Sequence, residues 1–209
     1  MTVIGPRRLA PVTGPRGAVA PAPAPLPAAF RRALADLRTA RPRPEVRLRE
    51  IAAPAGQAPH AVALAAEVCG SPGADDVLAT GRFVLLHDPS PAARWPGGFR
   101  AVTWIRASLE PDVALDQLAG AVAWTWLVEA LERRHAEHTQ AGGTATRSIA
   151  EGFGTLGTAP DATDIELRAS WTPAPRDLGA HLEAWSDMIC AFAGLPPEAG
   201  DDAPAAPGP

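Results

Sequence analysis

The sequence predicts an α+β domain: one antiparallel, twisted sheet of about six strands with three helices, in the order α-β-β-β-β-α-β-β-α. Three observations carry this expectation. Apolar residues recur at helical spacing in three segments, and they alternate at period two in six others. The first four strand-like segments are joined by short links, which favour antiparallel pairing over parallel crossovers of a dozen or more residues. The periodic part spans residues 27–197, long enough to bury roughly 70% of its unfolded surface and form a core without disulfides or metals.

The first helix is expected over about Pro27–Ala40, where Phe30, Ala33, Leu34 and Leu37 form one stripe; Pro42 and Pro44 end it. Strands follow at Glu45–Ile51, His60–Val68, Gly81–His87 and Phe99–Leu109. In the first, Val46 and Leu48 oppose Arg47 and Arg49; in the second, Val62, Leu64, Ala66 and Val68 share a side. The run Phe83-Val84-Leu85-Leu86 is apolar on both faces, the mark of a central strand. Turns are expected at Ser71-Pro72-Gly73, Asp88-Pro89-Ser90-Pro91 and Pro96-Gly97-Gly98.

Pro111 opens a second helix, expected to about His135, whose Leu118–Leu131 stretch is apolar nearly all round and so belongs in the middle of the structure. Two more strands, Thr144–Phe153 and Ile165–Trp171, precede the last helix. There Leu178, Leu182, Trp185, Ile189 and Phe192 fall on one face, with Asp177 as N-cap and Gly194-Leu195-Pro196-Pro197 as the stop. Outside this body, residues 1–26 form a Pro/Ala/Arg-rich tail and residues 198–209 a second one. Both are expected to be disordered, since the Ala20–Pro25 alternation removes backbone donors and favours extended chain.

Missing residue types exclude chemistry. The chain has no Lys, Asn or Tyr, and all 19 basic residues are Arg, a usage that fits a high-GC genome. Without Lys there is no Schiff base to pyridoxal phosphate and no P-loop or kinase lysine. Two cysteines, Cys69 and Cys190, are too few for a disulfide framework or a Cys-based zinc site. Met1–Ala20 lacks the apolar core of a secretory leader, and no apolar run reaches 18 residues, so a cytoplasmic protein with no membrane segment is expected. Residues 1–50 carry ten Arg against Asp36, Glu45 and Glu50, a net +7, while the remainder nets −11. A basic arm of this kind is one route to nucleic acid; a solvated tail plus an Arg-rich helix accounts for it more simply.

Four patterns invite a site. Gly152-Phe153-Gly154-Thr155-Leu156-Gly157 is a literal G-x-G-x-x-G, but the next strand begins too soon for the helix that a dinucleotide needs. Glu132, His135 and His138 form E-x-x-H-x-x-H without the second E-x-x-H of a di-iron pair. His87-Asp88 ends a strand, where a general-base pair could sit, although Asp before Pro is first a turn former. Trp124, Trp126, Trp171 and Trp185 lie among core-facing neighbours, whereas Trp95 lies in a loop. Arg47, Arg49, Arg100, Arg106, Arg147 and Arg168 lie on strands with Glu45, Glu67, Glu110, Glu151 and Glu166, so cross-strand pairing and a near-neutral face are expected. No catalytic residue, metal ligand or cofactor is assigned. The candidate binding surface is Trp95, His87, Arg147, Arg168 and Trp171.

Several segments are similar to one family: Gly81–Pro89 (GRFVLLHDP), Ser108–Pro111, Trp124–Leu127, Arg168–Pro173, His181–Trp185 and Ala193–Pro197. In register over about Ala28–Pro197, they resemble an uncharacterised actinobacterial family, domain of unknown function 3000. That resemblance implies an actinobacterial cytoplasmic protein and brings no activity, cofactor or catalytic residue. The element order also resembles that of type III secretion chaperones, which implies a partner-binding sheet or helix groove. The expected function is a non-enzymatic protein-interaction module. The alternatives are a small-molecule binder or enzyme using a pocket near His87, Arg147 and Trp171, and a nucleic-acid accessory protein using the basic arm. Oligomeric state is open. Deleting residues 1–26 is expected to leave the melting temperature within about 2 °C of the full chain, measured by thermal denaturation.

Overall fold

The computed structural model describes residues 25–71, 76–90, 94–109, 118–156 and 162–197. Three helices and six strands follow in order: α1 (Ala28–Thr39), β1 (Val46–Ile51), β2 (His60–Cys69), β3 (Val77–His87), β4 (Phe99–Leu109), α2 (Ala119–Arg133), β5 (His138–Ala150), β6 (Ala162–Pro173) and α3 (Leu178–Phe192). This is the expected α-β-β-β-β-α-β-β-α order. The expected helix opening at Pro111, the centre of the Ser71-Pro72-Gly73 turn, Gly157, and most of both tails lie outside the described residues.

The strands form one open sheet in the order β1-β2-β3-β4-β6-β5, and every neighbouring pair is antiparallel. The chain meanders through four strands, crosses over α2 to the far edge as β5, and returns as β6 between β4 and β5. All three helices cover one face. Residues 79, 81, 83 and 85 of β3, 99 to 107 (odd) of β4 and 165 to 171 (odd) of β6 point at the helices and are buried.

The position in the middle belongs to α3, not to α2. Thirteen of the 15 α3 residues are buried, whereas α2 buries a single stripe of Ala119, Ala123, Leu127, Ala130 and Leu131 over the β5/β6 side of the sheet. The apolar-all-round pattern of α2 misleads because Ala121 and Val122 are exposed, and apolar residues at a surface carry little penalty. Two boundaries also move. β3 begins at Val77, earlier than the expected Gly81, and β5 occupies His138–Ala150, earlier than the expected Thr144–Phe153. The β5 segment is rich in Thr, Gly and Ala and holds an irregularity at Thr139/Gly142, so local propensity understates it.

Close approach seats α3. At Gly81 an added Cβ would lie 2.6 Å from Ile189 Cδ1 and 2.9 Å from Trp185 Cζ2, so the missing side chain is the space those two residues fill. Two indoles then clip the helix to the sheet. Trp185 Nε1 donates to Thr103 Oγ1, whose hydroxyl donates to the Arg82 carbonyl at 3.0 Å. Trp171 Nε1 donates to His181 Nδ1 at 3.1 Å. Asp177 caps the helix, its carboxylate accepting from Ala180 N at 3.2 Å, and Gly194 ends it at φ 73°. Side chains of α3 also hold the other helices: Asp187 takes a two-pronged bond from Arg134 at 2.7 and 2.8 Å, while Glu183 and Ser186 accept from the backbone of Arg41 and Arg43 at 2.7 and 2.8 Å.

The Trp171 bond requires an unprotonated His181 Nδ1, leaving the proton on Nε2, which is buried with no protein partner. Burial, then the charge of His138, push the His181 pKa down from 6.5 to about 4, with Asp177 opposing. A folded-state pKa below the unfolded one means that the unfolded chain takes up the proton first. The stability tied to this neutral ring is therefore fully present above about pH 6.5 and is lost as pH falls toward and through about 4, up to about 3 kcal/mol. Denaturant midpoints from pH 7 to 4 should fall more steeply for the native chain than for His181→Asn, which keeps an acceptor for Trp171 but does not titrate. Leu182→Asp, which places an unpaired carboxylate at a site 1% exposed, is expected to yield no folded protein by circular dichroism.

Candidate binding surface

With the helices on one side, the even-numbered residues of β3, β4 and β6 face outward, and four-strand pairing arranges them in rows. One row reads Arg82, Trp104, Arg168, Thr144; the next reads Val84, Val102, Ser170, Gly142. Long side chains in the first row beside short ones in the second leave a shallow hollow of about 520 Å³. Gly142 extends it, since a Cβ there would meet nothing within 4 Å.

The rim is held in place by its own contacts. The Arg82 guanidinium carbon sits 5.8 Å from the centre of the Trp104 ring. The Trp104 indole bonds the Glu166 carboxylate, and that bond, ahead of the Arg168 contact, draws the Glu166 pKa below its ordinary value. Arg168 Nε reaches Glu166 at 2.6 Å, and one row further Arg106 reaches Asp164 at 2.6 Å, holding the Asp164 carboxyl below its usual range. These pairs are exposed and screened by solvent, and their effect is to fix the side chains. On the far side of the hollow, Arg100 donates only to neutral oxygens, those of Gln140, Thr172 and Ser170 at 3.0, 3.1 and 2.6 Å, and burial lowers its pKa.

Among the described strand residues of the open face, Arg47, Arg49, Arg82, Arg100, Arg106 and Arg168 stand against Glu67, Asp164 and Glu166, a net +3 on a chain of net −4. These residues are more positive than the near-neutral face expected from the sequence, whose Glu110 lies outside the described residues. Arg147 leaves the set because its position opposite Ile165 puts it on the helix-covered side, and Glu45 pairs with Arg43 at 2.7 Å instead of with a strand arginine.

The five residues singled out from the sequence do not share a surface. Arg168 lies on the rim, 69% exposed. His87 is buried on the opposite face, stacked between Phe30 and Phe99 with ring centres at 5.8 and 4.3 Å, its Nδ1 donating to the Gly98 carbonyl at 2.8 Å. Asp88 serves the turn, accepting from Ser90 N at 2.9 Å. Trp171 is fully buried beneath α3. Arg147 lies opposite Ile165, six residues along β6 from Trp171, roughly 20 Å away at strand rise. Trp95 is half-buried in the loop before β4, with its Nε1 enclosed and without a protein partner.

Trp104 is the residue that sequence reasoning passed over. Its signal was present: within Phe99–Leu109 it alternates with Arg100 and Arg106, which mark the outward side. The other local motifs come apart. Gly152 and Gly154 lead into a short 3-10 turn, Gly154–Leu156, and β6 starts at Ala162, leaving no length for a phosphate-binding helix. Glu132 is on α2, His135 follows it in a left-handed conformation at φ 50°, and His138 opens β5, so they share no helix face. Among the described residues no group of three His, Cys, Asp or Glu side chains is placed to hold a metal ion, and no helix is long and apolar enough to cross a membrane.

No curated protein and no solved structure matches the chain. The family model described as "Protein of unknown function (DUF3000)" matches residues 26–201, which take in all of the secondary structure described above, and the chain belongs to that family.

Proposed function

We propose that this protein is a non-enzymatic interaction module whose open sheet face binds an acidic protein segment carrying an aliphatic side chain. The observation that carries the reading is the hollow itself: a floor of Val84, Val102 and Gly142 beneath a rim of Trp104, Arg82 and Arg168. An aliphatic side chain fits such a floor, and an aromatic–arginine rim is the composition in which binding energy concentrates. Charge selects the flanks of the partner. Among the described residues, Arg82 contacts an indole and Arg100 neutral oxygens, so both retain charge for an incoming carboxylate. A nucleic-acid strand fits less well. One side of the Trp104 ring is occupied by Arg82, which leaves less of the ring for a base to stack on. The absence of Lys, Asn and Tyr supports a high-GC, actinobacterial source.

A peptide array varying aliphatic and acidic positions tests this, with single-stranded oligonucleotides as the parallel arm. The full chain should select peptides pairing an aliphatic residue with flanking Asp or Glu, and Trp104→Ala or Arg82→Glu should weaken the best of them about tenfold or more, 1.4 kcal/mol. Selection that Trp104→Ala leaves unchanged refutes the surface. Capture of oligonucleotides alone replaces the protein segment with nucleic acid.

A further inference from the structure

The two edges of the sheet are unlike each other. β1 is six residues long and carries Arg47, Arg49 and Glu50, the short, charged design that keeps an edge from pairing with another chain. β5 is 13 residues long, contains no proline, and carries a single charge, Arg147. Its register with β6 runs unbroken from Gly142 to Ala150, so nine consecutive residues present a regular backbone edge with no neighbouring strand on its outer side among the described residues. Apolar side chains gather beside it. Of the six exposed large hydrophobic residues described, two, Ile149 and Phe153, lie on β5 and just after it.

We propose that β5 pairs antiparallel with β5 of a second copy of this chain, joining two six-stranded sheets into one of twelve strands. The edge is self-complementary. A two-fold axis at Thr146, the centre of the regular stretch, sets Thr146 against Thr146, Arg147 against Ala145, Ser148 against Thr144 and Ile149 against Gly143. No arginine stands directly opposite another, the two Arg147 being diagonal to each other, and threonine faces threonine, a favourable cross-strand pair. An axis perpendicular to the sheet keeps helices beside helices and leaves both open faces on one side. Gly142 and Thr144, which line the Trp104 hollow, then have a neighbouring strand as an outer wall. This inference concerns the edge and stands whether or not the hollow takes an acidic segment.

Sedimentation equilibrium of the full chain across a concentration series tests it, together with two variants. The native chain should give twice the 21.6 kDa monomer mass. Thr146→Arg, which sets Arg against Arg at the axis, should give the monomer mass with an unchanged circular dichroism spectrum. Thr146→Cys should form an interchain disulfide under mild oxidation, because residues opposed across an antiparallel pair lie within the Cα separation of a disulfide. Native Cys69 and Cys190, both at most 1% exposed, should not. A chain that stays monomeric at every concentration overturns the proposal. So does a dimer that Thr146→Arg leaves intact, or one in which Thr146→Cys does not cross-link.

Discussion

The contact of α3 with the middle strands at Gly81 is the constraint on which the rest of the molecule depends. Trp185 and Ile189 fill the space where a side chain would stand, and the hydroxyl of Thr103 and the ring of His181 satisfy the two indoles that are drawn under the helix. With α3 seated there, its flanks supply the acceptors that receive α1 and α2: Glu183 and Ser186 on one side, Asp187 on the other. An indole is costly to bury without an acceptor, so these bonds specify where α3 sits as much as they strengthen it.

One consequence is a division of labour between the two faces of the sheet. The helix-covered face spends its aromatic residues on packing, and this is why His87 and Trp171 are interior groups. Among the described residues the other face has no layer above it, and it collects the strand arginines other than Arg147. Sheets of this kind alternate inward apolar and outward polar residues, and departures from that alternation are informative. Here they include Trp104, Val84 and Val102, three outward apolar residues in adjacent positions on β3 and β4.

Local motifs fared poorly because each needs a tertiary frame that the chain does not build around it. The glycine run lacks a helix to follow it, and the histidines around residue 135 straddle a left-handed turn and a strand. Asp88 is occupied by the turn that follows β3. In each case the residue types were right for the chemistry and the backbone was not.

What the sequence determined by itself is periodicity: the kinds of elements, their order, the stripe of α3 with its Asp177 cap, the central character of β3 and the outward alternation of Arg100 and Arg106. Those features depend on side chains three, four or two residues apart and are therefore legible along the chain. Tertiary structure alone decided which helix takes the centre, that β6 inserts between β4 and β5, and that Arg147 and Arg168 lie on opposite faces although both are strand arginines. It also placed Trp104 beside Arg82, Arg168 and Gly142. Such neighbours come from four strands far apart in sequence, and a one-residue change of register would move any of them to the other face.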